Sequence, residues 1–171
     1  MDIHEPQKKL RIGWFTFSCC EDSTIIFTEL MNDHWQTWKK VLDIRHARVL
    51  QTHNVLDELD VAFIEGALSS QTHVDRVKEI RQKSKKVVAI GACAVVGLPS
   101  TQRNQFDPER LEEIRPILEK FSYLPKAQKL SEVIRVDVNV PGCPMDEKQF
   151  MHVLGDLLKE FNIPLPSHAS S

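Results

Sequence analysis

The stretch DVAFIEGALSSQTHVDRVKEIRQKSKKVVAIGAC (residues 60–93) decides how the chain is read. Two nearly unbroken apolar runs, DVAFIEGAL (60–68) and KVVAIGAC (86–93), flank a segment in which Val74, Val77 and Ile80 recur at helical spacing. Runs of that kind are strands buried on both sides, and the amphipathic segment between them packs on the sheet they form.

The same alternation extends outward in both directions. Upstream stand LRIGWFTF (10–17), TIIFTELMNDHWQTWKKVL (24–42) and HARVL (46–50); downstream come PERLEEIRPILEKF (108–121), VIRVDVNV (133–140) and DEKQFMHVLGDLLKEF (146–161). Phe150, Val153, Leu157, Leu158 and Phe161 form a second helical stripe. This pattern predicts an α/β fold with a doubly wound, mainly parallel sheet and helices on both faces. LPSTQRNQFDP (98–108) and YLPKAQKLSE (123–132) read as linkers. Residues 1–9 are expected to be an N-terminal extension, 10–162 a single domain, and 163–171 a flexible tail.

A chain of 171 residues has enough core to fold without a disulfide or a metal. Its 22 basic and 24 acidic residues are mixed, and a net charge of −2 leaves no electrostatic footprint for nucleic acid or an anionic membrane. No run approaches eighteen apolar residues, and MDIHEPQKKL lacks the plan of a secretory signal. The expected setting is the cytoplasm, where thiols stay reduced and no part of the chain enters a membrane.

Four cysteines then stand out. Cys19 and Cys20 follow the first strand, Cys93 closes VVAIGAC, and Cys143 lies in VPGCP after the last strand. Neighbouring thiols on an extended chain point apart, so Cys19 and Cys20 are poorly placed to bond to each other. All four fall at the carboxyl ends of expected parallel strands, the edge of an open sheet where ligands bind. Convergent cysteines in a reducing compartment suit tetrahedral zinc or an iron–sulfur cluster. Structural zinc favours paired C-x-x-C knuckles, whereas a cluster presents several irons that adjacent cysteines can reach separately. Buried small hydrophobes are the bland alternative. Gly91 and Gly142 remove side chains where backbone would approach an inorganic core, and Pro141 and Pro144 stiffen the last loop.

GACAVVGLP and VPGCP, placed after a cysteine motif that follows the first strand, resemble the proximal-cluster domain of nickel–iron hydrogenase small subunits and of the homologous subunit of respiratory complex I. The resemblance runs over roughly residues 10–160. It implies a flavodoxin-like fold and one [4Fe–4S] cluster held by Cys19, Cys20, Cys93 and Cys143. It also implies a large catalytic partner carrying the nickel–iron centre, further iron–sulfur or flavin subunits, and no turnover by this chain alone. EGA after the third strand favours the hydrogenase branch, while the tandem Cys19–Cys20 matches the complex I arrangement; aligning a hydrogenase C-x-x-C on Cys20 places Phe17 where a cysteine belongs. A zinc-binding or metal-free interaction protein is the reading from a different class.

Among the remaining residues, Glu65 ends an apolar strand on the cysteine edge, where it suits helix capping, partner binding or proton movement. Glu21 and Asp22 suit the electrostatics of a helix start. His34, His46 and His53 show no paired ligand spacing, and Trp35 and Trp38 suit helix packing or a partner contact.

Overall fold

The computed structural model describes residues 8–164, so positions 1–7 of the expected extension and 165–171 of the expected tail lie outside the described residues. Strands β1 (Leu10–Thr16), β2 (Leu42–Ala47), β3 (Leu59–Glu65), β5 (Ser84–Ile90) and β7 (Val138–Val140) form one sheet in the order β2-β1-β3-β5-β7. Every pairing in it is parallel. Counted within the sheet this order is 2-1-3-4-5, the doubly wound arrangement, whose switch point lies between β1 and β3.

Side chains alternate across the sheet and divide the core into two layers. Ile12, Trp14, Val61, Phe63, Val88 and Ile90 face helices α1 (Asp22–Val41) and α5 (Glu147–Glu160). Phe15, Ala62, Ile64, Val87 and Ala89 face α2 (Gln71–Lys83) and the short α3 (Gly91–Val95). All seven residues of β3 are buried, as a central strand of a covered sheet requires. Trp14 stacks on Phe27 at 4.2 Å between ring centroids and meets Phe150 edge-on at 6.0 Å, joining β1 to both helices of its layer.

Four elements depart from what the sequence pattern predicts. Strand β2 begins at Leu42 directly after α1, because its pairing with β1 starts there; residues 48–50, expected as strand, turn away as Leu50 and Gln51 donate to the Ala47 carbonyl. Strand β7 holds only the last three of the residues expected at 133–140. Just before it, the Asp137 carboxylate accepts from the Val87 N–H at 2.8 Å and from Arg81 at 2.8 Å, so a side chain replaces part of the ladder. The expected linker 123–132 contains strand β6 (Tyr123–Gln128), which pairs antiparallel with β4 (Leu68–Ser70); Pro125 is tolerated because this two-stranded ribbon has open edges. Helix α4 (Pro108–Lys120) is capped by Asp107, whose carboxylate accepts from the Arg110 N–H, yet it buries no residue and covers neither sheet face.

Charge fixes the amino-terminal edge of the sheet. Asp60, buried in β3, accepts from the Arg11 N–H at 3.0 Å, from the Arg11 guanidinium and from Lys85 at 2.7 Å, bridging β1, β3 and β5. Burial raises its carboxyl, but these hydrogen bonds outweigh it and hold the group below the usual carboxylate range. The stability it contributes is therefore present above its unfolded pKa, about 3.9, and is lost as pH falls through the lower folded value. Asp60→Asn should cost about 1–2 kcal/mol at neutral pH, since Arg11 and Lys85 are partly solvated, and should flatten the acid limb of stability against pH, as urea unfolding from pH 3 to 7 would reveal.

Candidate metal centre

The four cysteines line one pocket at the carboxyl edge of the sheet, together with Ser23, Glu65, Gly91, Gly142 and Pro144. Cys93 is buried, Cys19 half-buried, and Cys20 and Cys143 exposed, so the pocket opens outward through the last two. Three of the thiols sit in loops as expected. Cys93 instead lies within α3, where the chain coils at once after β5.

Backbone hydrogen bonds hold these segments against one another. Phe17 donates to the Glu65 carbonyl at 2.9 Å, and Ser18 and Ala67 exchange both backbone bonds at 3.0 Å, which pins the Cys19–Cys20 loop to the end of β3. Ala92 donates to the Gly142 carbonyl at 2.7 Å and so ties the Cys93 turn to the Cys143 loop. The Ser100 hydroxyl donates to the Ser18 carbonyl at 2.8 Å and lies 3.2 Å from the Cys93 sulfur. Sequence alone did not single out Ser100: a lone serine in a loop carries no signal until folding brings it to the thiol.

Glu65 is the hub of the arrangement. Its carboxylate accepts from the Ser23 N–H at 3.1 Å and from the Thr24 hydroxyl at 2.6 Å, while Thr24 accepts from the Trp14 indole at 2.9 Å. Of the expected roles, helix capping is the one this geometry displays, since Glu65 satisfies donors in the first turn of α1 from across the sheet. Glu21, the residue before α1, takes a left-handed backbone conformation (φ 66°) and makes no side-chain cap, whereas Asp22 lies in the first turn. The Ser23 hydroxyl accepts from the Met145 N–H at 3.2 Å, extending the link to the Cys143 loop.

Two glycines are required by the backbone. Gly91 (φ +77°) brings its Cα to where a Cβ would lie 2.9 Å from the Ser23 hydroxyl, and at Gly142 (φ +119°) a Cβ would meet the Pro144 carbonyl at 2.4 Å. Burial pushes the Cys19 thiol up to about 12, with the nearby Glu65 carboxylate and the neighbouring cysteines adding to the effect. Without a cation beside it Cys19 therefore stays protonated; a bound metal centre would supply the positive charge that makes it a thiolate.

The donor set fits a cluster. It offers four thiols and a glycine-lined backbone, yet among the described residues no three cysteine, histidine or acidic side chains converge closely enough to hold one metal ion. The histidines are elsewhere: His34 stacks on Trp38, His46 bonds the Trp14 carbonyl, and His53 is exposed. Trp38 is core, and Trp35 lines a depression with Lys9 and Arg11 at the opposite edge of the sheet.

A doubly wound sheet with four thiols gathered at its carboxyl edge defines a small α/β protein built around a cysteine-lined site. The chain belongs to the family of the NADH ubiquinone oxidoreductase 20 Kd subunit, whose model matches residues 19–157. It is similar to hydrogenase subunits as well. One component of the F420-non-reducing hydrogenase of Methanothermobacter marburgensis is 32% identical over 129 residues, covering 67% of this chain and 42% of the relative. The gamma chain of the coenzyme F420 hydrogenase of Methanosarcina barkeri is 31% identical, covering 80% and 49%. Against these two the chain spans about half the length of its relatives. The delta chain of the NAD-reducing hydrogenase HoxS of Cupriavidus necator is 22% identical and is matched over 83% of its length. The fold is shared with a chain of a NAD+-reducing [NiFe]-hydrogenase in the H2-reduced state, at a TM-score of 0.77, 24% identity, and coverage of 96% of this chain and 99% of that one.

Gly142→Ala should destabilise the Cys143 loop by about 1–3 kcal/mol, because a left-handed backbone and a 2.4 Å clash would have to be relieved together. Thermal melts set against Gly155→Ala, where a Cβ meets nothing, would check it.

Proposed function

We propose that this chain is the electron-transfer small subunit of a cytoplasmic nickel–iron hydrogenase, with Cys19, Cys20, Cys93 and Cys143 holding one proximal [4Fe–4S] cluster. The observation that carries the proposal is the gathering of all four thiols in one pocket by the segments that follow three separate strands. Adjacent Cys19 and Cys20, with no paired C-x-x-C knuckle, favour a multi-iron core over a structural zinc. When bound, such a cluster supplies one-electron relay between a large-subunit H2 site and downstream iron–sulfur or flavin carriers.

The chain's own residues do the holding. The thiolates ligate, the Ser100 hydroxyl lies 3.2 Å from the buried Cys93 sulfur while it holds the Ser18 carbonyl, and Glu65 keeps the Cys19–Cys20 loop and α1 at a fixed distance from β3. Val96 and Leu98 stand exposed just beyond Cys93 and give a large partner chain an apolar contact beside the site. Among the described residues no helix is long and apolar enough to cross a membrane. The tandem Cys19–Cys20 favours a second reading, the equivalent subunit of a complex I-like quinone or membrane-bound reductase.

Metal analysis of the anaerobically purified native complex tests both. About four irons and four sulfides per chain, with co-purifying nickel, is the hydrogenase result; iron without nickel selects the complex I-like branch, and zinc alone or no metal overturns the relay. Cys93→Ala and Cys143→Ala should each abolish the iron and sulfide content while the fold persists by circular dichroism. Cys19→Ala is the sharpest variant, since a wild-type cluster there would exclude the tandem pair from the ligand set.

A further inference from the structure

A second site lies on the other side of the start of α1. A cleft of about 880 Å3 opens at the carboxyl ends of β1 and β2 and the first turns of α2. Its volume is that of a small-molecule site. Glu21 and Thr24 line this cleft while Cys20 and Ser23 line the cysteine pocket, so the first turn of α1 is the wall between the two.

The charge within the cleft is one-sided. Arg48 enters from the end of β2 and Arg76 from α2, beside His46 and His73, and the acid on the lining is Glu21. Arg76 pairs with Glu79 at 2.6 Å, a half-exposed contact of little strength; Arg48 forms no ion pair among the described residues. His46 is buried, stacked on Phe15, and bonded through Nδ1 to the Trp14 carbonyl at 3.0 Å. Burial lowers its pKa, the Trp14 carbonyl works the other way, and Arg76 and Arg48 add to the lowering. Two guanidiniums and one carboxylate, Glu21, thus line the cleft, and Arg48 has no ion-pair partner among the described residues to compete with an incoming dianion.

The surrounding donors suit an oxyanion. Thr52 and Thr72 line the cleft with their hydroxyls, and the flank of α2 that carries Thr72, His73 and Arg76 forms one side of it. Phe17, tilted against His73 at 5.3 Å, forms an apolar wall beside this flank.

We propose that this cleft binds a small molecule carrying a phosphate monoester, with Arg48 and Arg76 clamping the phosphate. The chemistry fits free phosphate equally, but the volume leaves most of the cleft to the remainder of an ester. The site is independent of the metal: neither arginine lines the cysteine pocket.

The test is calorimetric titration of the anaerobically purified full chain, and of its native complex, with inorganic phosphate, AMP and succinate. Saturable binding of AMP tighter than that of phosphate supports an ester; equal binding of the two moves the site to free phosphate and overturns the ester. Arg48→Ser with Arg76→Ser should weaken AMP at least about tenfold at unchanged iron content, and Arg→Lys at both should restore part of the affinity. No saturable binding up to about 10 mM, succinate binding as well as AMP, or a serine variant that binds like wild type would each overturn the proposal. Iron content is read in the same samples, so failure here is separable from failure of the cluster reading.

Discussion

The buried carboxylate of Glu65 is the constraint on which the cysteine edge depends. It ends β3 at 3% exposure and is satisfied by the first turn of α1, whose Thr24 in turn takes the indole N–H of Trp14. One acid thereby joins β1, β3 and α1 through hydrogen bonds shielded from water, where leaving any partner unmade costs far more than at a surface. The Cys19–Cys20 loop spans the short gap between Thr16 and Asp22, so fixing both of its ends leaves the two thiols little freedom.

From that anchor the other cysteines are placed by backbone rather than by side-chain packing. The Ala92 to Gly142 bond sets the Cys93 turn against the Cys143 loop, and Ser23 and Ser100 bind each of these to the first loop. Glycine at 91 and 142 permits the approach, because a Cβ at either position would lie where another atom already stands. The thiols converge at the carboxyl edge because each follows the end of a parallel strand, and all the strands end at that one edge. The same geometry brings Arg48, Arg76 and two histidines together across α1, so one sheet edge carries a sulfur-lined pocket and a cationic cleft side by side.

Much of this was legible in the sequence, for identifiable reasons. The apolar runs at 10–17, 60–68 and 86–93 each became a central strand because only buried parallel strands are apolar on both faces. The stripes of α2 and α5 were legible because their periodicity was intact. Where the pattern misled, tertiary contacts overrode local preference. Residues 48–50 carry β-forming side chains but turn to close on Ala47, and 133–137 alternates like a strand, yet Val133 and Ile134 turn back onto the Leu130 carbonyl and the Asp137 carboxylate takes the Val87 N–H. Residues 123–128 held a strand behind Pro125, which in a central strand would have been disqualifying.

The sequence by itself determined the fold class and the identity of the four thiols, because periodicity and strand-end position are local properties written residue by residue. It also carried the family likeness, in the motifs around Cys19–Cys20, Cys93 and Cys143. Only the tertiary structure decided that Glu65 caps α1, that Ser100 reaches Cys93, and that Arg48 and Arg76 face one cleft. Those pairings join residues from 7 to 42 positions apart. No local pattern specifies which distant partner a polar side chain will meet; that is fixed when the sheet closes and the unpaired groups at its edge must find one another.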